Sequence, residues 1–170
     1  MLHGADVKRV GRRYDFASSV DAESKVAMSV ISEAQTQFLN ECRVGRLATV
    51  DRSGEAFVVP VCYAFDGHRI YTPIDEKPKR RDRPLKRIRN IRESRRATLT
   101  VDYYDDEDWS RLAWLMVRGP AEVIEPGHAW HENAVAALRA RYAQYASMDL
   151  ERAEVIVLHP ERATSWGIVS

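Results

Sequence analysis

Ile70-Tyr71-Thr72-Pro73-Ile74-Asp75-Glu76-Lys77-Pro78-Lys79-Arg80, an arginine-rich run, and then Ala97-Thr98-Leu99-Thr100-Val101-Asp102-Tyr103-Tyr104 decide how this chain is read. An apolar strand runs out into Lys77-Pro78-Lys79, a basic helix follows, and a second strand closes the unit. Residues 77–96 hold eleven of the chain's 26 Lys and Arg and only two acids, Asp82 and Glu93, although the whole chain carries a formal net charge of +1. So much local charge between two strands marks a socket for an anionic ligand. The acids follow it: Asp102, Asp105, Asp106, Glu107 and Asp108 fall within one short stretch.

The bulk numbers set the frame. At 170 residues, 45% hydrophobic and 30% charged, the chain reads as one soluble globular domain with a real core. A pI near 7.8 gives no global pull toward nucleic acid or membrane. Cys42 and Cys62 form no Cys-x-x-Cys and read as small buried hydrophobes in a reducing cytoplasm. No apolar run approaches the ~18 residues of a membrane span. The basic N-terminus lacks a hydrophobic segment and is not a secretory signal. Residues 1–25 read as a polar N-terminal arm, and 26–170 as the folded domain.

Along the domain, residues 26–41 have helical periodicity, with Val30, Ala34 and Phe38 on one face and Gly45 as a stop. The period then changes to two. Strands are expected at 46–50, 56–65 and 69–72, separated by turns at Gly54 and Asp66-Gly67, as an antiparallel meander. Residues 83–94 form a short helix with Leu85, Ile88 and Ile91 on its apolar stripe. Strands follow at 97–104 and 112–124, the latter interrupted at Gly119-Pro120. A helix at 127–142 and closing strands at 154–158 and 164–167 complete six or seven strands and three helices. The helices do not alternate with the strands. The fold class is therefore mainly β (α+β), a small antiparallel barrel with peripheral helices.

Pro60 stands inside Val58-Val59-Pro60-Val61. Proline donates nothing to a ladder, so it marks an edge, a bulge or a strand facing a ligand. The Thr72 hydroxyl either reaches a phosphate or caps a turn. Glycine-rich phosphate loops and a nucleophile elbow are absent. His128 and His131 share a helical face but no third ligand is placed by any motif, so no metal is assigned. No catalytic side chain is assigned either. A chain without its own nucleophile can still be an enzyme when a cofactor carries the chemistry. Nucleic-acid binding is disfavoured, because the 77–96 cluster has no aromatic for base stacking.

The ordered set Gly45-Arg46-Leu47-Ala48-Thr49-Val50-Asp51, Gly54, Val59-Pro60-Val61, Asp66-Gly67, Ile70-Tyr71-Thr72, Lys77-Pro78-Lys79, Arg89-Asn90-Ile91, Val101-Asp102-Tyr103-Tyr104, Asp108-Trp109-Ser110-Arg111-Leu112 and Trp166-Gly167 resembles the pyridoxamine-phosphate-oxidase-like split-barrel flavoproteins. It is most similar to the branch that uses the deazaflavin coenzyme F420. The resemblance implies a six-stranded split β-barrel, working as a homodimer with the cofactor in a groove between subunits. It implies that Lys77 and Lys79 hold the cofactor phosphate and Thr72 supports that end. Val59, Pro60 and Val61 line the ring system through backbone contacts, and Arg89 and Asn90 sit close to the groove. Trp109 and Trp166 either wall the substrate or ring pocket or serve plain core or interface packing. The remaining arginines of the basic run suit either the carboxylate tail of a deazaflavin or a solvated helix face. Ala113-Trp114 stands where the family pattern has two tryptophans.

The expected activity is hydride transfer from reduced coenzyme F420 to an unsaturated or conjugated small molecule. Protons would come from solvent or a tyrosine such as Tyr71 or Tyr103. The alternatives are FMN-dependent oxidoreductase chemistry, or a non-enzymatic module that stores flavin, deazaflavin or haem.

Overall fold

A computed structural model describes residues 30–74 and 84–168. The N-terminal arm, Lys77 and Lys79 lie outside the described residues.

Helix α1 (Glu33–Glu41) begins later than the periodicity suggests, because Ser32 caps it. The Ser32 hydroxyl accepts from the Gln35 amide, and the Gln35 side chain accepts from the Ser32 amide. This reciprocal box satisfies two free N–H groups at the helix start. Gly45 does not end the helix. The carbonyls of Leu39 and Cys42 are instead taken by the Tyr63 hydroxyl and the Arg141 guanidinium. Gly45 opens strand β1 (Gly45–Val50), where a side chain would collide with Leu99: an added Cβ would lie 2.6 Å from its Cδ1.

The long strand expected over 56–65 is two strands, β2 (Ala56–Val61) and β3 (Ala64–Phe65). Tyr142 breaks it. Its hydroxyl accepts from the Tyr63 amide at 3.1 Å and donates to the Tyr63 carbonyl at 2.9 Å. With both backbone groups so engaged, Tyr63 leaves the ladder and the chain turns to a different partner. β3 then pairs with β4 (Ile70–Pro73). The expected meander is thus only partial: β1 and β2 form a hairpin, but β4 lies at the far side of the sheet.

Helix α2 (Lys86–Ser94) buries Ile88 and Ile91 and leads into β5 (Arg96–Tyr103). Strand β6 (Ala113–Ile124) runs without interruption through Gly119-Pro120. Helix α3 (His131–Arg141), β7 (Val155–Leu158) and β8 (Arg162–Trp166) finish the chain. The order is β2-β1-β5-β6-β7-β4-β3, with β8 on β6 and every pair antiparallel. The described chain has eight strands rather than six. The two-residue β3 arises from the break at Tyr63.

β6 joins the two halves of the barrel. Its first part pairs with β5 and β8, and Ala121–Ile124 pairs with β7. Gly119 sits at the changeover, pressed so close to the segment after β7 that an added Cβ would lie 1.8 Å from the His159 carbonyl oxygen. One core fills the barrel, with Leu47, Leu99, Val101, Leu115, Val117, Ile156 and Leu158. A second lies between α3 and the opposite faces of β4 and β7, through Tyr71, Val155, Val157, Ala134 and Leu138. β4 and β7 are therefore buried on both faces, which is why Val155-Ile156-Val157-Leu158 reads as an unbroken apolar run.

Candidate functional site

Directly paired residues of an antiparallel sheet present the same face. The register therefore sorts the side chains of β2, β1, β5, β6 and β8. One row runs Pro60, Arg46, Thr100, Met116, Thr164, and the next runs Val58, Ala48, Thr98, Arg118, Arg162. A third places Asp102, Trp114 and Trp166 together. Every one of these positions is exposed or half-exposed. The alternate positions, Leu47, Val61, Leu99, Val101, Leu115 and Val117, fill the barrel. The outer face is thus broad and flat at its middle, where Ala48, Thr98 and Thr100 are short, with an ion pair between Arg46 and Asp102.

β2 is the last strand on its side, so its outer backbone edge has no partner among the described strands. Pro60 belongs to such an edge, where a missing N–H need not break the ladder. Of the three residues expected to line a ring, Pro60 points out. Val59 and Val61 turn their side chains to the barrel core and offer only backbone. Val58, at 56% exposure, shares the outer face with Pro60 and was missed from the sequence. Strict alternation along β2 would have paired it with Pro60.

The other expected residues separate. Thr72 is buried, and its hydroxyl donates to the Cys62 carbonyl at 2.6 Å. It ties β4 to the break after β2, just ahead of the Lys77-Pro78-Lys79 segment, and its proton is not free for a ligand. Asn90 is also buried. Its Nδ2 donates to the Thr49 hydroxyl at 3.1 Å, fastening α2 to β1. Lys86 reinforces this joint, with Nζ at 2.7 Å from Glu55 and 3.5 Å from Asp51 in the β1–β2 turn. Arg89, one position before Asn90, is exposed and pairs with no described residue. The helix thus turns Asn90 inward as a joint and leaves Arg89 outward, without a partner among the described residues. Trp109, in a short 3₁₀ turn (Trp109–Arg111), and Trp166 are 68% and 55% exposed, so neither is core.

The two tyrosines considered as proton sources differ. Tyr71 is buried, and burial followed by its hydrogen bond to Asp66 (2.6 Å) holds its hydroxyl well above the usual tyrosine range. It is a poor donor at neutral pH. Tyr103 is 43% exposed, near Asp105 and Arg111. The candidate metal histidines are occupied: His131 Nε2 bonds the Ala153 carbonyl at 2.8 Å, and His128 Nδ1 accepts from the Trp130 amide at 3.3 Å. Among the described residues no group of three or more His, Cys, Asp or Glu is placed to hold a metal ion. No described helix is long and apolar enough to cross a membrane.

The split sheet joined by β6 is the architecture expected from the resemblance, and comparison of the whole chain agrees. The family model for pyridoxamine 5'-phosphate oxidase matches residues 31–167. The chain belongs to the pyridoxamine 5'-phosphate oxidase family. The chain is 27% identical over 137 residues to a 5a,11a-dehydrotetracycline/5a,11a-dehydrooxytetracycline reductase of Streptomyces rimosus, covering 81% of this chain and 83% of that protein. Solved structures share the fold at lower identity. A conserved hypothetical protein of Mycobacterium tuberculosis superposes with TM-score 0.60 at 23% identity, covering 85% of this chain and 89% of that one. A haem storage protein of Vibrio cholerae superposes with TM-score 0.59 at 15% identity, covering 80% and 94%.

Proposed function

We propose that this member of the pyridoxamine 5'-phosphate oxidase family is a cytoplasmic homodimeric oxidoreductase that reduces an unsaturated or conjugated small molecule with coenzyme F420. The observation that carries the reading is the outer sheet face. It has a strand edge at Pro60 without a partner among the described strands and short side chains at Ala48, Thr98 and Thr100; Arg89, exposed and without a partner among the described residues, stands on the helix fastened to the other face of that hairpin through Thr49. Such a surface suits a planar ring with an anionic tail. The reductase relative, which by its name acts on a dehydro compound, supports the activity class. A second copy covering this face would turn the open surface into a groove, with Val50, Val58 and Trp166 as exposed apolar contacts.

The cofactor, when bound, supplies the hydride. The chain's residues do the rest. Lys77, Lys79 and Arg89 bind the anionic tail by charge-assisted hydrogen bonds. Backbone at 59–61 and the Val58 and Pro60 side chains set the plane of the ring. Thr72 fixes the strand that delivers Lys77. The Arg46–Asp102 pair gives an otherwise apolar face one polar handle for orienting substrate. Tyr71 keeps its proton, and Tyr103 lies on the row that alternates with the outer face, so the proton that follows the hydride comes from solvent.

Side-by-side fluorescence titration with coenzyme F420 and FMN tests this reading. F420 is expected to bind preferentially, and the loaded protein to reduce a conjugated enone. Preferential FMN binding would keep the groove and move the chemistry to flavin. Lys77→Ala/Lys79→Ala should weaken binding about 100-fold, from two charge-assisted hydrogen bonds of ~1.5 kcal/mol each. Unchanged affinity in the double variant would end the phosphate-socket assignment.

A further inference from the structure

The β6–β8 side of the outer face carries an arrangement that sheets ordinarily avoid. Arg118 of β6 and Arg162 of β8 are direct partners in the register, so two guanidinium groups rise side by side from one face. Like charges placed directly opposite destabilise an antiparallel pair. No described acid relieves them, for neither arginine forms an ion pair with a described residue.

The carboxylates of this face are committed elsewhere. Asp102 pairs with Arg46, and Glu161 pairs with Arg96, one row beyond Arg118. Four arginines, Arg46, Arg96, Arg118 and Arg162, thus stand against two acids, Asp102 and Glu161, and the count involves no histidine. Arg162 is exposed and water can serve it, but Arg118 is half-buried. Its Nε is shut off from solvent and has no hydrogen-bond partner among the described residues. Its described hydrogen bond, from Nη2 to the Thr164 hydroxyl, is long at 3.4 Å. A guanidinium withdrawn from water without an opposite charge is costly. Thr98 lies directly across β5 from Arg118, half-buried, and its hydroxyl bonds no described residue. Beyond Thr98 the same row continues through Ala48 to Val58, short and apolar.

We infer that Arg118 and Arg162 hold an oxyanion, a carboxylate or phosphate group, on a ligand whose flat apolar body lies along the row toward Ala48 and Val58. The hydroxyls of Thr98 and Thr164 are its further donors. Guanidinium groups match the paired oxygens of such a head group, and the bound anion supplies the opposite charge that the cross-strand pair lacks. A cation would add to the repulsion, and a neutral ligand would leave it standing. The site adjoins the ring surface proposed above but uses none of Lys77, Lys79 or Arg89, so it stands whichever cofactor the protein takes.

The test is an amide-resolved NMR titration of the full chain, free of cofactor, with 2-naphthoate, 2-naphthyl phosphate and the neutral 2-naphthamide. The anions should shift the amides of Thr98, Arg118 and Thr164, with the neutral probe weaker by about tenfold. The tighter of the two anions names the head group. Arg118→Met keeps the stem, removes the charge and should weaken both anions about tenfold. Arg162→Glu places an acid opposite Arg118. It should raise the midpoint of urea unfolding and yet abolish anion binding, a combination that damage to the fold does not produce. Equal affinity for the anions and the amide overturns the proposal, and so does unaltered binding by either variant. A lowered urea midpoint for Arg162→Glu, or no shift up to about 10 mM probe, would also overturn it.

Discussion

Replacing Asn90 separates a joint in the fold from a ligand contact. Asn90 and Thr49 are 2% and 3% exposed, and the Asn90 amide donates to the Thr49 hydroxyl at 3.1 Å. Thr49 in turn reaches the Phe57 carbonyl at 3.5 Å, so the contact runs from α2 through β1 to the edge strand. Thr49→Val keeps the shape and strands a buried amide without its acceptor, at a cost of ~1–3 kcal/mol. Asn90→Ala removes the donor and leaves a small cavity, at ~2–3 kcal/mol. The double variant has no stranded donor, so its cost should fall short of the sum by ~1–2 kcal/mol. Urea unfolding followed by tryptophan fluorescence measures all three. In parallel, cofactor affinity of Asn90→Ala should stay within about threefold of the parent, because the side chain faces the core. A coupling below ~0.5 kcal/mol would refute the joint. A large loss of affinity at unchanged stability would make Asn90 a cofactor contact after all.

Two further expectations concern the barrel. Gly119→Ala would place a Cβ 1.8 Å from the His159 carbonyl oxygen, and the segment it must displace is held by two backbone bonds of 2.9 Å. The expected loss is about 3–5 kcal/mol in urea unfolding. Gly54→Ala, at φ +87° with nothing within 4 Å, should lose only ~1 kcal/mol, and equal losses would refute the tight seam. Asp66 gives a pH signature. Burial raises its pKa, but hydrogen bonds from the Tyr71 hydroxyl and the Arg69 and His68 amides outweigh it and hold the carboxyl below its ordinary 3.8. A depressed carboxylate contributes stability above its unfolded pKa and loses it as pH falls through the folded value, below about pH 4. Asp66→Asn should therefore be less stable at neutral pH and lose less on acidification, and parallel acid profiles would contradict this.

Much of the barrel was legible because burial on one face writes itself as alternation. Leu47, Thr49 and Leu99, Val101 alternate with Arg46, Ala48 and Thr98, Thr100, and their strands lie within a residue of where the pattern puts them. The apolar stripe of α2 and the turn at Gly54 were equally plain, since each depends on residues close in sequence. The break at Tyr63 was not, because the group that causes it, the Tyr142 hydroxyl, lies 79 residues away. For the same reason the helix stop near Gly45 was misplaced: the carbonyls that end α1 are held by Tyr63 and Arg141.

The candidate site divides along the same line. Its chemistry belongs to the chain itself: the Lys77-Pro78-Lys79 segment, the basic helix, and a proline inside a strand are local facts of composition and order. Which way each side chain faces is a matter of register and of packing between distant segments. Only the tertiary structure turned Asn90 and Thr72 inward as joints, left Arg89 exposed, and set Val58 beside Pro60 on an open face. It also set Arg118 of one strand opposite Arg162 of another. A sequence states what groups are available within a turn of chain, whereas the pairing of strands decides which of them meet.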